Sequence, residues 1–260
     1  MNDYVSHLSL CAGIGGIDLG LRRVVRNLNT VAMVEREAFA ISNLVQKMEE
    51  GELDSCPIYA DLLRFPWQRF RGRVDIVSGG FPCTPFSVAG SRKATNDERH
   101  LWPYIRSGVA VLQPRVCFFE NVDGIVTAPS EGYHSVLHHV LSDLEEMGFR
   151  TTAGQFSAQE VGAPQIRKRW FILAVAHRDI EGLERWDEPV DESSDEWPVG
   201  PGCPQRSDEP PRTIESDLGG RVDGIPNRMD RLRALGNAVV PAVAAKAFST
   251  LWWRLHEQTT

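Results

Sequence analysis

His7-Leu8-Ser9-Leu10-Cys11-Ala12-Gly13-Ile14-Gly15-Gly16 is the stretch from which the rest of the chain is read. His7–Cys11 has the look of a short, largely apolar strand. The glycines after it allow a sharp turn and let backbone amides approach a ligand closely. Ile17–Val25 then has helical spacing, so the stretch reads strand, turn, helix. A helix N-terminus placed there favours polar or negative groups. The spacing Gly13-x-Gly15-Gly16-x-x-x-Gly20 departs from the dinucleotide pattern G-x-G-x-x-G. Taken alone, it suits a tight strand–helix turn as well as a nucleotide site.

The same alternation continues outward. Thr30–Val34, Val74–Ser78, Val116–Phe119 and Arg169–Val175 are further strand candidates. Helical patterns occupy Ala38–Met48, Tyr104–Leu112 and Tyr133–Met147, the last closed by Gly148, and return over Asp230–Leu251. Strands alternating with helices predict an α/β fold with a mainly parallel sheet. Ligands of such sheets lie beyond the carboxyl ends of the strands.

Composition narrows the class. The 260 residues are 42% hydrophobic and 24% charged, which excludes a wholly disordered chain, a collagen-like fibre and a disulfide mini-scaffold. Asp3 and His7 stand where a signal peptide needs a basic start and an apolar run. The longest strongly apolar stretch, Trp170–Ala176, is about seven residues against the roughly 18 of a membrane span. The five cysteines are scattered without zinc-finger spacing, so no metal is expected and a reducing, cytoplasmic setting is.

The net charge of −7 argues against a protein that works mainly by coating nucleic acid. That charge is unevenly spread, however. Residues 179–217 carry 13 carboxylates against three arginines, a net −10, which leaves +3 on the rest of the chain. Six prolines interrupt helix there, and the segment reads as an irregular, partly disordered insertion. The expected division is a body of residues 1–177 and 229–260, with a short acidic segment at 178–228.

Four constellations at predicted strand ends carry chemistry. Glu35 ends the second strand, where an acid can accept ribose hydroxyls, and Asp61 is placed to accept from an adenine amino group. For either acid, the plain alternative is a helix cap or turn residue. Gly79-Gly80-Phe81-Pro82-Cys83-Thr84-Pro85-Phe86-Ser87 holds a cysteine between prolines at a sheet mouth, which suits a nucleophile once its pKa is lowered. Phe119-Glu120-Asn121-Val122 brings a carboxyl group and an amide to the same edge. Gln165-x-Arg167-x-Arg169 leads into a strand with its side chains alternating onto one face. Those guanidiniums suit a carbonyl, a phosphate or the carboxylate itself.

With these motifs in order, the chain resembles the DNA cytosine-5 methyltransferases over residues 5–177 and 219–248. Leu10–Gly16 is similar to that family's S-adenosylmethionine loop, Phe81-Pro82-Cys83 to its nucleophile loop, and Glu120-Asn121-Val122 to its carboxylate motif. Gln165-x-Arg167-x-Arg169 resembles the arginine motif. Arg233-Ala234-Leu235-Gly236-Asn237-Ala238-Val239-Val240-Pro241 resembles the final motif, and Asp97–Pro103 a segment of phage and bacterial members.

The resemblance implies a Rossmann-like methyltransferase sheet with helices on both faces, plus a small irregular recognition subdomain. It implies S-adenosylmethionine as cofactor, held by Cys11, Ala12, Gly13, Ile14, Gly16, Glu35, Arg36, Asp61, Leu62, Pro82, Leu101, Asn237 and Ala238. Catalysis falls to Cys83 as nucleophile toward cytosine C6 and to Glu120 at N3 and the amino group. Arg167 is assigned to the base O2 and Arg169 to support of Glu120 or of the nucleophile loop. Double-stranded DNA is the implied substrate, with the target base flipped out. Ser87, Arg92, Lys93, Arg99 and Gln165 would grip it, together with Arg221, Asn227 and Arg228 from the recognition segment.

Several positions depart from the family pattern. Cys11 replaces a common aromatic residue, Arg36 stands where an apolar partner of adenine is frequent, and Thr84 replaces a glutamine. Only about 50 residues, 178–228, serve for recognition. A short target, relaxed specificity, or help from a partner or second subunit is therefore expected, in a restriction-modification setting. A tRNA-directed relative and an inactive DNA- or cofactor-binding regulator are the alternatives.

Overall fold

All six residues of the strand β5 (Val116–Asn121) are buried. A strand apolar on both faces needs cover on both, and its neighbours show how this is met. The computed structural model describes residues 4–82, 101–130, 132–163, 166–177 and 237–257. Besides β5 the strands are β1 (Val5–Leu10), β2 (Leu28–Val34), β3 (Ile58–Tyr59), β4 (Ile76–Gly80), β6 (Phe149–Ser157) and β7 (Lys168–Ala176). They form one sheet in the order β3-β2-β1-β4-β5-β7-β6. The first five strands in that order are parallel, while β7 runs antiparallel to both β5 and β6.

Alternation along the strands sorts side chains to the two faces. Leu8, Leu10, Val77, Cys117, Phe119 and Ile172 join one core, closed by the helices α4 (Trp102–Leu112) and α5 (Val136–Glu146). Ile76, Val116, Phe118, Phe171 and Leu173 join the other. That second core is closed by α1 (Gly16–Val24) and α6 (Pro241–Glu257). The mainly parallel α/β sheet expected from the sequence is therefore present, with helices on both faces. Two further helices, α2 (Ala38–Glu49) and the short α3 (Trp67–Phe70), flank the β2–β3 edge.

Local chemistry sets the helix limits. Ser135 caps α5 by accepting a hydrogen bond from the His138 amide at 3.2 Å, so the helix starts at Val136 rather than at Tyr133. Val136, Val140 and Leu144 bury one stripe of it, each contributing about 1.5–3 kcal/mol relative to exposure. Gly148, at φ +88°, ends the pattern as expected. The single helix expected over Asp230–Leu251 is corrected: α6 begins at Pro241 and runs on to Glu257, with residues 238–240 outside it. Proline disfavours helical backbone in the residue before it and suits a helix start. The strand expected at Val74–Ser78 lies instead at Ile76–Gly80.

Polar groups also knit the central strands. Buried His7 shares hydrogen bonds with Thr30 Oγ1 at 3.0 Å and Ser78 Oγ at 2.8 Å, linking β1 to β2 and β4. Burial pushes its pKa down to about 3, so the imidazole is neutral. Asp18, on α1, accepts from Ser9 at 3.1 Å, and burial raises its pKa to about 6.

Candidate functional site

The parallel register levels the carboxyl ends of three strands. Leu10 pairs with Gly79, Gly79 with Phe119, and Gly80 with Glu120. The glycine turn after β1, Phe81-Pro82 after β4 and Glu120-Asn121 at the end of β5 therefore share one edge. Strand β1 lies between β2 and β4, which makes this the point where strand order reverses. A cavity of about 1150 Å³ opens there.

Its walls follow from the turn. Cys11, Gly13 and Gly15 take left-handed backbone, with φ of 50°, 56° and 83°, folding the chain back over β1 and into α1. Gly16 allows a close approach on the other side: a Cβ there would lie 2.0 Å from the Val239 carbonyl oxygen. Glu35, at the end of β2, accepts the Gly13 amide on Oε2 at 2.6 Å. Its Oε1 accepts the Arg36 and Glu37 amides at 2.7 and 2.8 Å. Three of about four lone-pair positions are thus taken, leaving about one for a ligand hydroxyl rather than a free pair.

Asp61 lies across the cavity. It caps the turn Leu62–Arg64, accepting from Leu63 N at 2.9 Å, and keeps Oδ2 3.5 Å from Arg64 Nε. It is therefore both the turn cap and a cavity residue. Cys11, Ala12, Gly13, Ile14 and Gly16 line the cavity beside Glu35 and Arg36. Asp61, Leu62, Pro82, Leu101, Asn237 and Ala238 line it as well. The Cys11 thiol is not a competing nucleophile, because burial and then the Glu35 charge push its pKa up to about 12.

At the inner end lies the carboxylate motif. Glu120 is almost fully buried, and its Oε1 is 2.9 Å from Arg169 Nε. The antiparallel pairing of Glu120 with Phe171 brings the start of β7 to this edge. Burial raises the Glu120 pKa to about 7, outweighing the attraction of Arg169 and Arg167. The two arginines part company: Arg169 lines the cavity, while Arg167 donates to the Ala238 carbonyl at 2.6 Å and lies off the cavity wall. Burial lowers the Arg167 pKa from its ordinary value. Arg169 is therefore the guanidinium in direct contact with Glu120. Arg167 instead ties the arginine motif to the residues before α6.

One aromatic residue on the wall was not singled out from the sequence. Phe39, in the first turn of α2, puts an aromatic ring on the cavity. Its signal was an aromatic residue four positions past Glu35. Asn121 donates from Nδ2 to the Phe81 carbonyl at 2.9 Å, while its Oδ1 accepts the Val122 amide at 2.9 Å. That clasp fixes the backbone leading to Pro82. Cys83, Ser87, Arg92, Lys93, Arg99, Gln165, Arg221, Asn227 and Arg228 lie outside the described residues, as does the segment 178–228. Among the described residues no cluster of three metal-ligating side chains occurs, and no helix is long and apolar enough to cross a membrane.

Sheet order, antiparallel β7 and a cavity at the reversal define a Rossmann-like methyltransferase fold. Solved structures share it: a DNMT2 variant from Spodoptera frugiperda has a TM-score of 0.53 at 24% identity, covering 66% of this chain and 50% of its own. The Dnmt2 methyltransferase of S. pombe has a TM-score of 0.51 at 19% identity, covering 73% and 58%. A family profile described as C-5 cytosine-specific DNA methylase matches residues 5–200. The chain belongs to that family.

Among its relatives, the Type II methyltransferase M.NgoMIV of Neisseria gonorrhoeae is 29% identical over 71% of this chain and 56% of its own length. M.CviJI of Paramecium bursaria Chlorella virus IL3A is 32% identical over 68% and 44%. The chain spans about half the length of the relatives it matches.

Proposed function

We propose that this protein methylates C5 of cytosine in duplex DNA with S-adenosylmethionine as donor. One observation carries the reading. The Glu120–Arg169 pair and the backbone leading to Cys83 open into the same cavity as the glycine turn and Glu35.

The cavity's donor set fits the cofactor. Glu35 can accept a ribose hydroxyl and Asp61 the adenine amino group. Phe39, Ile14 and Leu101 offer apolar surface to the base and methylene chain. When bound, S-adenosylmethionine supplies an electrophilic methyl group on a sulfonium centre. The protein's own groups prepare the base. A flipped cytosine, extruded at a cost of a few kcal/mol, presents its ring edge to the cavity. The Cys83 thiolate forms a bond to C6, and the displaced π electrons gather toward C5 and N3. Glu120, with its raised pKa, donates a proton to N3 and accepts from the 4-amino group. Arg169 holds O2 and orients Glu120. Once C5 carries the methyl group, loss of its proton to a base and return of the N3 proton to Glu120 let the Cys83–C6 bond break and restore the aromatic ring.

The test is transfer of tritiated methyl from S-adenosylmethionine to duplex DNA and to tRNA, using the parent and Cys83→Ala. Label in DNA from the parent alone is the expected result. No label in DNA overturns the substrate reading, and label from Cys83→Ala overturns the covalent mechanism.

A further inference from the structure

The segment that leaves the cavity rim after Leu63 takes no part in the chemistry above. Between Leu62 and Val74 the chain carries Arg64, Arg69, Arg71 and Arg73 and no carboxylate, within a protein of net charge −7. All four arginines are exposed. Arg64 faces Asp61, but among the described residues Arg69, Arg71 and Arg73 form no ion pair.

Their backbone is firmly held. Phe65 packs edge-on to Tyr59 at 4.9 Å and to Trp67 at 4.7 Å, and stacks on Phe70 at 5.0 Å. The Trp67 ring presses so closely on Gly108 of α4 that a Cβ there would meet it at 2.6 Å. Strand β3 is only two residues long and ends the sheet, so Val31 of β2 is left partly covered. Over it lies a recess of about 320 Å³ lined by Val31, Tyr59, Phe70, Arg69 and Arg73. The result is a fixed aromatic ledge edged by guanidiniums that face no carboxylate among the described residues.

Guanidinium forks match phosphate oxygens in charge and in geometry. A run of them along a sheet edge suits a polymer of phosphates better than a single small anion. We propose that Arg69, Arg71 and Arg73 form an auxiliary contact for the phosphodiester backbone of duplex DNA, outside the cleft that takes the target base. The choice of duplex DNA rests on the function proposed above. Contacts of this kind add affinity without sequence information. An acidic protein with few cations in its recognition segment gains there a grip beyond what that segment supplies.

The test compares three forms of the full chain with the parent. One carries Arg69→Ser, Arg71→Ser and Arg73→Ser. A second carries lysine at the same three positions. A third removes equal charge elsewhere, through Lys47→Ser, Lys246→Ser and Arg254→Ser. Each is titrated, without S-adenosylmethionine, against a labelled duplex of unrelated sequence over a range of salt. Thermal melting and sedimentation are measured in parallel.

The serine form is expected to bind more weakly. Its slope of log affinity against log salt should fall by about 0.9 for each phosphate no longer neutralised, so by up to about 2.7. The lysine form should keep most of the slope, and methyl transfer at saturating duplex should be unchanged. A serine form with the slope of the parent, or of the charge-matched form, overturns the proposal. The same slope combined with new self-association would assign the arginines to guarding the sheet edge against pairing instead. Because binding is read without methyl transfer, failure of this contact is distinct from failure of the proposed activity.

Discussion

Replacing Glu120 by glutamine tests whether burial or the guanidinium of Arg169 governs this carboxyl. Burial raises its pKa from an ordinary 4.5 to about 7, although Arg169 Nε lies 2.9 Å away. A carboxyl whose folded pKa is raised contributes stability fully present below the unfolded value. That contribution is lost as pH climbs through the folded one. Between those limits each pH unit removes about 1.4 kcal/mol. From about pH 5 to about pH 8 the parent should therefore lose about 2–3 kcal/mol relative to Glu120→Gln. The amide does not titrate. The missing carboxylate partner of Arg169 is a constant offset, because the guanidinium stays charged throughout.

Urea unfolding of both forms at several pH values measures the difference directly. A flat difference would refute the reasoning, and so would a parent that gains stability relative to Glu120→Gln with rising pH. The latter would mean that Arg169 keeps the carboxylate ionised. The predicted outcome bears on function, since a raised pKa would let Glu120 carry near neutral pH the proton needed at N3.

Gly16→Ala places a methyl group against the Val239 carbonyl, where the Cβ would lie at 2.0 Å. It should cost about 1–3 kcal/mol, read as a lower melting temperature, and weaken S-adenosylmethionine binding measured by calorimetry. Asn121→Ala leaves the Phe81 carbonyl without its buried partner, a penalty of about 1–3 kcal/mol. Because that carbonyl precedes the nucleophile loop, kcat for methyl transfer should fall while the cofactor KM changes little. Trp102→Phe removes the 2.7 Å bond from the indole to Asp143, and urea unfolding should show a loss of about 1 kcal/mol. Asp143 keeps Arg106 at 2.9 Å, so this loss should stay smaller than that of Asp143→Ala.

Some of this is legible in the chain and some is not. The strands β1, β2, β4, β5 and β7 can be read because their runs are apolar and, for all but β2, glycine or proline lies close to one end. Strand β6 escapes such a reading. Its sequence, Phe149-Arg150-Thr151-Thr152-Ala153-Gly154-Gln155-Phe156-Ser157, buries only Phe149, Gly154 and Phe156, and an edge strand pairing on one side leaves little pattern. The cavity residues from Cys11 to Gly16, with Glu35 and Asp61, are nameable because strand ends in a parallel sheet converge by topology. Phe39 is not, because its part depends on a wall that the fold alone brings to it, and the carbonyl that Asn121 clasps is likewise set by the fold.

The sequence by itself determined the α/β class, the family and the edge of the sheet at which its motifs meet. Glycine spacing, strand-end chemistry and motif order are local properties, and they survive without coordinates. Only the tertiary structure decided that Arg169 meets Glu120 rather than serving the loop, and that Arg167 turns away. The antiparallel register of β7 against β5 sets Arg169 beside the carboxylate, while Arg167 is drawn to Ala238 from the far end of the chain. It also decided the proton affinity of Glu120, because desolvation and nearby charge come from residues packed around the group, not from those beside it in sequence.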